Sequence, residues 1–577
     1  MKNIRYIFSI IVLCFVAVSC DHNELLTENP KDFFSPSNAF KTEQNFVSAL
    51  ADIYLDNRNN FYSSSDDVSN YSLLGADLDL TYTRQDAVGV FTNEYFDWNT
   101  FNADAPFVSK WYGTFYQLIF KANTIIDRID DITWDSEEDR DAIVAEARFL
   151  RAHYYRLLAN MWGGAPLILE ETKAPRFDYT RETRENVYLQ CKADLEYATQ
   201  HMYTVDQVPG GRAPKAAAYH VLAEVNIQLG DYQDAIDAAS AVIDGGNYAL
   251  MTSRFGLFSD FQWRGYDYIG PDEPWGDVYW DMFRKGNFNR SAGNTETIWN
   301  CQFEFDVVGG ASTDRTEGNF GIERHLGGPI YWNGGQISDL NGVRNVYKDT
   351  LMGRPTGVNG ATDYLRNQIW NFNGDFNNDI RNSKYNIQRT YYWNNPESAF
   401  FGTPWSEATC NPAQVERFNG GRINQPSFKK NVELKHEAYK VQDGEDNSDG
   451  RIFKDWYIMR LAETYLLRAE AYHLNGDNGS AAADINAVRN RAQATSVTAG
   501  DVDLDLILDE RARELHFEEY RMNTLLRMGK LAEYLRKYHS ATLENGYTIP
   551  DHYNLMPIPS SEIEANKDAV LEQNTGY

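Results

Sequence analysis

Three stretches of the chain interleave aromatic rings with planar polar side chains. The first holds Tyr82, Arg84, Asp86, Tyr95, Trp98 and Asn99. The second holds Trp263, Tyr266, Tyr268, Trp275, Tyr279 and Trp280. The third joins Tyr331-Trp332-Asn333 to Tyr391-Tyr392-Trp393-Asn394-Asn395. This chemistry is noncovalent capture. A ring covers the flat face of a ligand, at roughly 1–3 kcal/mol per stacked base where that has been measured, while Asn, Asp and Arg bond its polar edge. Each ring has a competing use in the core. Motifs for covalent chemistry are missing from the sequence: no HExxH, GxSxG, GxGxxG or phosphate loop occurs. Asn371-x-Asn373-Gly-Asp375-x-Asn377-x-Asp379 alternates oxygen ligands but lacks the glycine and glutamate of an EF-hand loop. It reads as a turn, so no metal or other cofactor is expected.

The element that must hold such surfaces in place is a helical hairpin. From Arg212 to Leu250, two apolar faces at helical spacing meet at Gly230-Asp231. Ala223, Ala235 and Ala239 allow close helix approach, Gly230 suits a C-cap and Asp231 an N-cap. Tyr219, Ala223, Glu224, Gly230, Asp231, Ala235 and Val242 recur as Tyr465, Ala469, Glu470, Gly476, Asp477, Ala481 and Val488. A single offset relating hairpin landmarks marks an internal repeat of tetratricopeptide character, whose units run to about 34 residues. Such hairpins cannot bury their faces alone and must stack, so both copies are expected in one scaffold.

The chain of 577 residues carries a net charge of −29, which argues against a nucleic-acid partner. Its 36 Tyr, 31 Phe and 13 Trp exceed what a core needs and suit ligand stacking. Cys191, Cys301 and Cys410 have no CxxC spacing and predict neither a zinc site nor a disulfide framework.

In chain order, residues 1–19 read as an export signal, with a basic start and an apolar run too short for a typical span. Ala17-Val18-Ser19-Cys20 resembles a lipobox, which would leave lipid on Cys20 and anchor the protein to a membrane. Residues 20–40 form a polar tether. Residues 41–250 form an N-terminal helical, tetratricopeptide-like part. Residues 251–453, rich in Gly, Asn, Trp and Tyr with short strands, form a long ligand-binding excursion. Residues 454–577 return to helices on the same scaffold, with an extended C-terminal cover.

Five segments, in order, resemble the SusD/RagB family of nutrient-binding lipoproteins of Bacteroidetes-type bacteria: Glu146–Pro166, Gly211–Tyr248, Asp455–Ala471, Glu510–Gly529 and Leu555–Tyr577. One departure is Glu519-Tyr520, where a Gly-aromatic pair is frequent. The resemblance implies a mainly α fold of tetratricopeptide-like hairpins with a loop-rich binding half. It also implies attachment at the outer membrane, facing outward, and a TonB-dependent (SusC-like) transporter barrel as partner. The ligand would be a poly- or oligosaccharide, whose C–H faces pack on rings and whose hydroxyls need Asn, Asp or Arg. The resulting candidates are Tyr82, Arg84, Tyr95, Trp98, Asn99, Trp263, Tyr266, Trp275, Trp280, Tyr331, Trp332 and Trp393, with no catalytic residue. A glycoside hydrolase would need two carboxylates across the scissile bond, and a protein-only scaffold would not need the aromatic excursion. These are the rival readings. Arg148, Glu470, Glu510, Arg513 and Arg521 are expected to form ion pairs inside the scaffold.

Overall fold

Ser136 shows how this sequence starts a helix. Its hydroxyl accepts from the Asp139 amide at 3.2 Å, and Glu137, Glu138 and Asp139 crowd the positive end of the helix dipole. Helix α3 (Glu137–Trp162) follows and ends at Gly163, whose φ of +75° suits glycine. In a computed structural model, the described residues are 39–62, 79–80, 98–263, 273–304, 307, 337–345, 360–415, 426–430, 454–539, 542–543 and 546–577. Before α3 come α1 (Glu43–Phe61) and α2 (Pro106–Arg128). After it come α4 (Arg184–His201), α5 (Lys215–Leu229) and α6 (Tyr232–Ile243). Neighbours from α2 through α6 pack in sequence order. Among the described residues, no helix is long and apolar enough to cross a membrane.

The C-terminal helices are α9 (Leu461–Leu474), α10 (Asn478–Arg491), α11 (Leu504–Leu515), α12 (Arg521–Arg527) and α13 (Leu531–Tyr538), with the short α14 (Ser560–Ala565) in the tail. The two repeat hairpins, α5–α6 and α9–α10, stack directly: α9 lies on both α6 and α5. Ile227, Ala235, Ile236, Leu467 and Ala471 form the joint. Gly230 and Gly476 occupy the same left-handed position, at φ +80° and +84°. The caps differ. Asp477 accepts from the Ser480 amide at 3.0 Å, whereas Asp231 is drawn to Lys192 at 2.7 Å and caps nothing through its side chain. The repeat glutamates are used alike, Glu224 paired with Arg156 at 2.5 Å and Glu470 with Arg527 at 2.6 Å.

Outside these helices lie short elements. The helices are α7 (Val278–Met282) and α8 (Asp363–Arg366). The strands pair two by two, antiparallel: β1 (Asp79–Leu80) with β5 (Gly360–Ala361), β2 (Gln262–Trp263) with β3 (Glu273–Pro274), and β6 (Ile387–Gln388) with β7 (Ser427–Phe428). The last pair is β4 (Thr297–Cys301) with β8 (Trp456–Arg460), which runs straight into α9 and so ties the excursion to the scaffold.

Ion pairs sealed from water complete that tie. Arg460 reaches Glu296 at 2.8 Å and Glu514 at 2.6 Å, Arg489 joins Asp375 to Glu510, and Arg491 bonds Glu514. Buried charges are tolerable only when partnered in this way. The Asp375 and Asp379 carboxylates of the oxygen-rich turn are held by Arg489 and Arg381. Arg148 departs from the ion-pair expectation: its guanidinium lies 4.3 Å over the Tyr197 ring. Cys191, Cys301 and Cys410 are buried free thiols.

Candidate functional site

A cleft of about 670 Å³ opens where the first helix, the turn before the repeat hairpin and the excursion meet. Helix α1 supplies Tyr54, Leu55, Asn57 and Arg58 to one wall. Gly210, Gly211 and Arg212 form a second. The end of β4 with Gln302, Phe303 and Glu304, and the Lys285–Asn289 turn, form a third. Gly211 has φ +89°, and a Cβ on Gly210 would stand 2.5 Å from the Gln302 amide. The glycine pair therefore lets Gln302 lie flat across the turn.

The walls are fixed by bonds beneath them. Trp299 Nε1 donates to the Gly211 carbonyl at 3.0 Å. Arg212 forks onto Glu146, and Tyr54 donates to that same carboxylate at 2.6 Å. Burial opposes the Arg212 charge, but Glu146 outweighs it and holds the guanidinium above its ordinary value. Burial, reinforced by Glu146, pushes the Tyr54 phenol well up. Asn289 donates to Asp455 at 2.5 Å and accepts from Asn300 at 2.8 Å and Gln302 at 2.7 Å. Burial raises the Asp455 carboxyl above the usual range, while Asn289 and the Phe303 amide oppose it. Arg58 lies 5.5 Å over the Phe303 ring. The result is a preformed trough with apolar patches and planar amides, guanidinia and carboxylates at its edge. It can bind a polar ligand by hydrogen bonds along that edge and by apolar contact with Val47, Leu55 and Val307.

None of the sequence-derived candidates that the structure describes lines this cleft. Trp98, Trp275, Trp280 and Trp393 are core residues, between 0% and 8% exposed. Trp98 packs on Phe101 and Tyr553, and Trp275 on Tyr385. Trp280 stacks on Phe261 beneath Arg284. Trp393 packs on Trp405 and donates to Thr409 at 3.0 Å. An indole so enclosed offers no face to a ligand, and the short loop elements need these rings as their own small cores. Tyr279 is likewise buried, donating to the Glu514 carbonyl. Asn99 is exposed in the turn at 98–100. Trp263 lies in β2, its side chain outside the described residues. Tyr82, Arg84, Tyr95, Tyr266, Tyr331, Trp332 and the lipid candidate Cys20 also lie outside them. The cleft residues Arg58, Lys285, Asn289 and Gln302 were missed. They carry no shared spacing, and only Gly210-Gly211 hinted at a close approach.

Comparison with known proteins gives the same architecture. A sequence model described as "SusD family" matches residues 295–577, and one described as "Starch-binding associating with outer membrane" matches 35–227. The SusD-like protein P25 of Formosa agariphila is 26% identical across 100% of both chains. The starch-binding protein SusD of Bacteroides thetaiotaomicron is 39% identical over 21% of each. A solved laminarin-binding SusD-like protein superimposes with a TM-score of 0.64 at 22% identity, covering 93% of this chain and 100% of that one, and so shares the fold. Family matches to both halves, full-length relatives and the hairpin scaffold agree: this chain belongs to the SusD family.

Proposed function

We propose that the protein is a surface-exposed, lipid-anchored receptor that captures poly- or oligosaccharide and passes it to a TonB-dependent outer-membrane transporter. The observation that carries the reading is the 670 Å³ cleft, held rigid by the scaffold and edged with Arg58, Lys285, Asn289 and Gln302. Its size falls within the usual range of ligand sites, roughly 300–1,000 Å³. The starch and laminarin ligands named for relatives support a glycan, and the role is binding without catalysis. The aromatic residues at 82, 95, 263, 266, 331 and 332 are proposed as stacking faces for the glycan, and Cys20 as the lipid-bearing residue.

Affinity electrophoresis of residues 21–577 on laminarin and starch gels tests the capture step. Retardation by one glycan, reduced in Lys285→Ala/Gln302→Ala, is the expected result. Normal mobility on every glycan would refute it. Incubation with the retarding glycan should release no reducing ends, and membrane-bound protein should co-purify with a transporter barrel.

A further inference from the structure

A second groove, of about 390 Å³, lies between α2, the segment at 166–179 and the C-terminal tail. It shares no lining residue with the first cleft. Two aromatic rings on its walls are open to water: Phe120 on α2 is 41% exposed and Phe177 is 44% exposed. Large rings left this open on a soluble surface mark contact sites when they flank a concavity.

The groove is preformed. Tyr116 donates to the Pro166 carbonyl and Asn123 to the Ile168 carbonyl, each at 2.8 Å. Asn566 bonds the backbone of Tyr179 on both sides, each at 2.8 Å, and the Asp568 amide donates to the Phe177 carbonyl at 2.8 Å. The floor is open because residue 113 is glycine: a Cβ there would meet nothing within 4 Å.

Polar groups converge on the same space. The hydroxyls of Thr172 and Tyr179 and the Glu562 carboxylate line the groove and have no hydrogen-bond partner among the described residues. A purely apolar occupant would strip water from these groups and return nothing, at about 1–3 kcal/mol each. A sugar ring satisfies both demands, with C–H faces for Phe120 and Phe177 and hydroxyls for the rest. We infer that this groove is a second carbohydrate site, for a short segment of the glycan held by the first cleft. The inference rests on the glycan-capture reading. Two sites on one chain make polymer binding bivalent and raise avidity without a new contact.

The test is isothermal titration with laminarihexaose and with maltohexaose. The native chain should bind two molecules of one of them. Phe120→Ala/Phe177→Ala should bind one, and polymer affinity should fall about tenfold or more. Gly113→Leu should do the same by filling the groove, while improving helix propensity within α2. Lys285→Ala/Gln302→Ala should weaken binding at the other site by about tenfold. A stoichiometry of one, weakened in the Lys285/Gln302 variant and unchanged by Gly113→Leu, would overturn the second site and leave glycan capture intact. No binding of either sugar would overturn both.

Discussion

Arg381, from the loop-rich excursion, sits 2.7 Å from Glu510 on scaffold helix α11, and neither side chain is exposed at all. The same guanidinium reaches Glu514 at 2.9 Å and Asp379 at 2.6 Å. The loop-rich excursion is therefore joined to the helical scaffold by charge sealed from water.

Removing that cation should be costly. Arg381→Met leaves Glu510, Glu514 and Asp379 short of a partner, so a loss of about 3–5 kcal/mol is expected. Urea unfolding of the variant and the native chain measures it.

Acid should loosen the structure in two stages. Burial depresses the basicity of His153, His220 and His516 and takes His539 to about 4, so the folded state binds fewer protons than the unfolded one. Stability from these neutral rings is present above about pH 6.5 and falls as pH drops below it. Glu510 follows. Burial opposes its charge, but Arg381, Arg513 and Arg489 outweigh that and hold the carboxyl at about 2 against an ordinary 4.5. Its contribution is lost between those values. The urea midpoint measured from pH 7 to pH 3 should fall throughout, and a flat profile from 6.5 to 4.5 would contradict the histidine stage.

Gly230→Ala and Gly476→Ala should cost similar amounts. Both glycines have φ near +80° and open space where a Cβ would go, so only the backbone strain, about 1–2 kcal/mol, is felt. Thermal melts of both variants compare the repeat hairpins directly.

Trp280→Ala should act on stability and not on ligand contact. The indole is 1% exposed under Arg284 and against Phe261, so its removal should cost about 3–5 kcal/mol. Lys285→Ala/Gln302→Ala should weaken glycan binding by about tenfold, as expected for a hydrogen bond or two, while lowering the melting temperature far less than Trp280→Ala, because the Gln302 bond to Asn289 is exposed. Titration and melting on the same samples separate the two effects.

The sequence alone determined the scaffold. The offset relating Tyr219, Glu224 and Gly230 to Tyr465, Glu470 and Gly476 identified two hairpins, because helix faces and left-handed caps write a local, periodic pattern. Their stacking was implied because neither hairpin can bury its apolar face alone. The binding surface was not legible in the same way. A tryptophan in a glycine-rich loop looks the same whether it faces water or forms a small core, and Trp280 and Trp393 form cores. Arg58, Gly210, Lys285 and Gln302 become neighbours only when β4 pairs with β8 and α1 lies across the turn before α5. The tertiary fold alone decided that, because burial and convergence arise from contacts between distant segments, which no local pattern in the chain records.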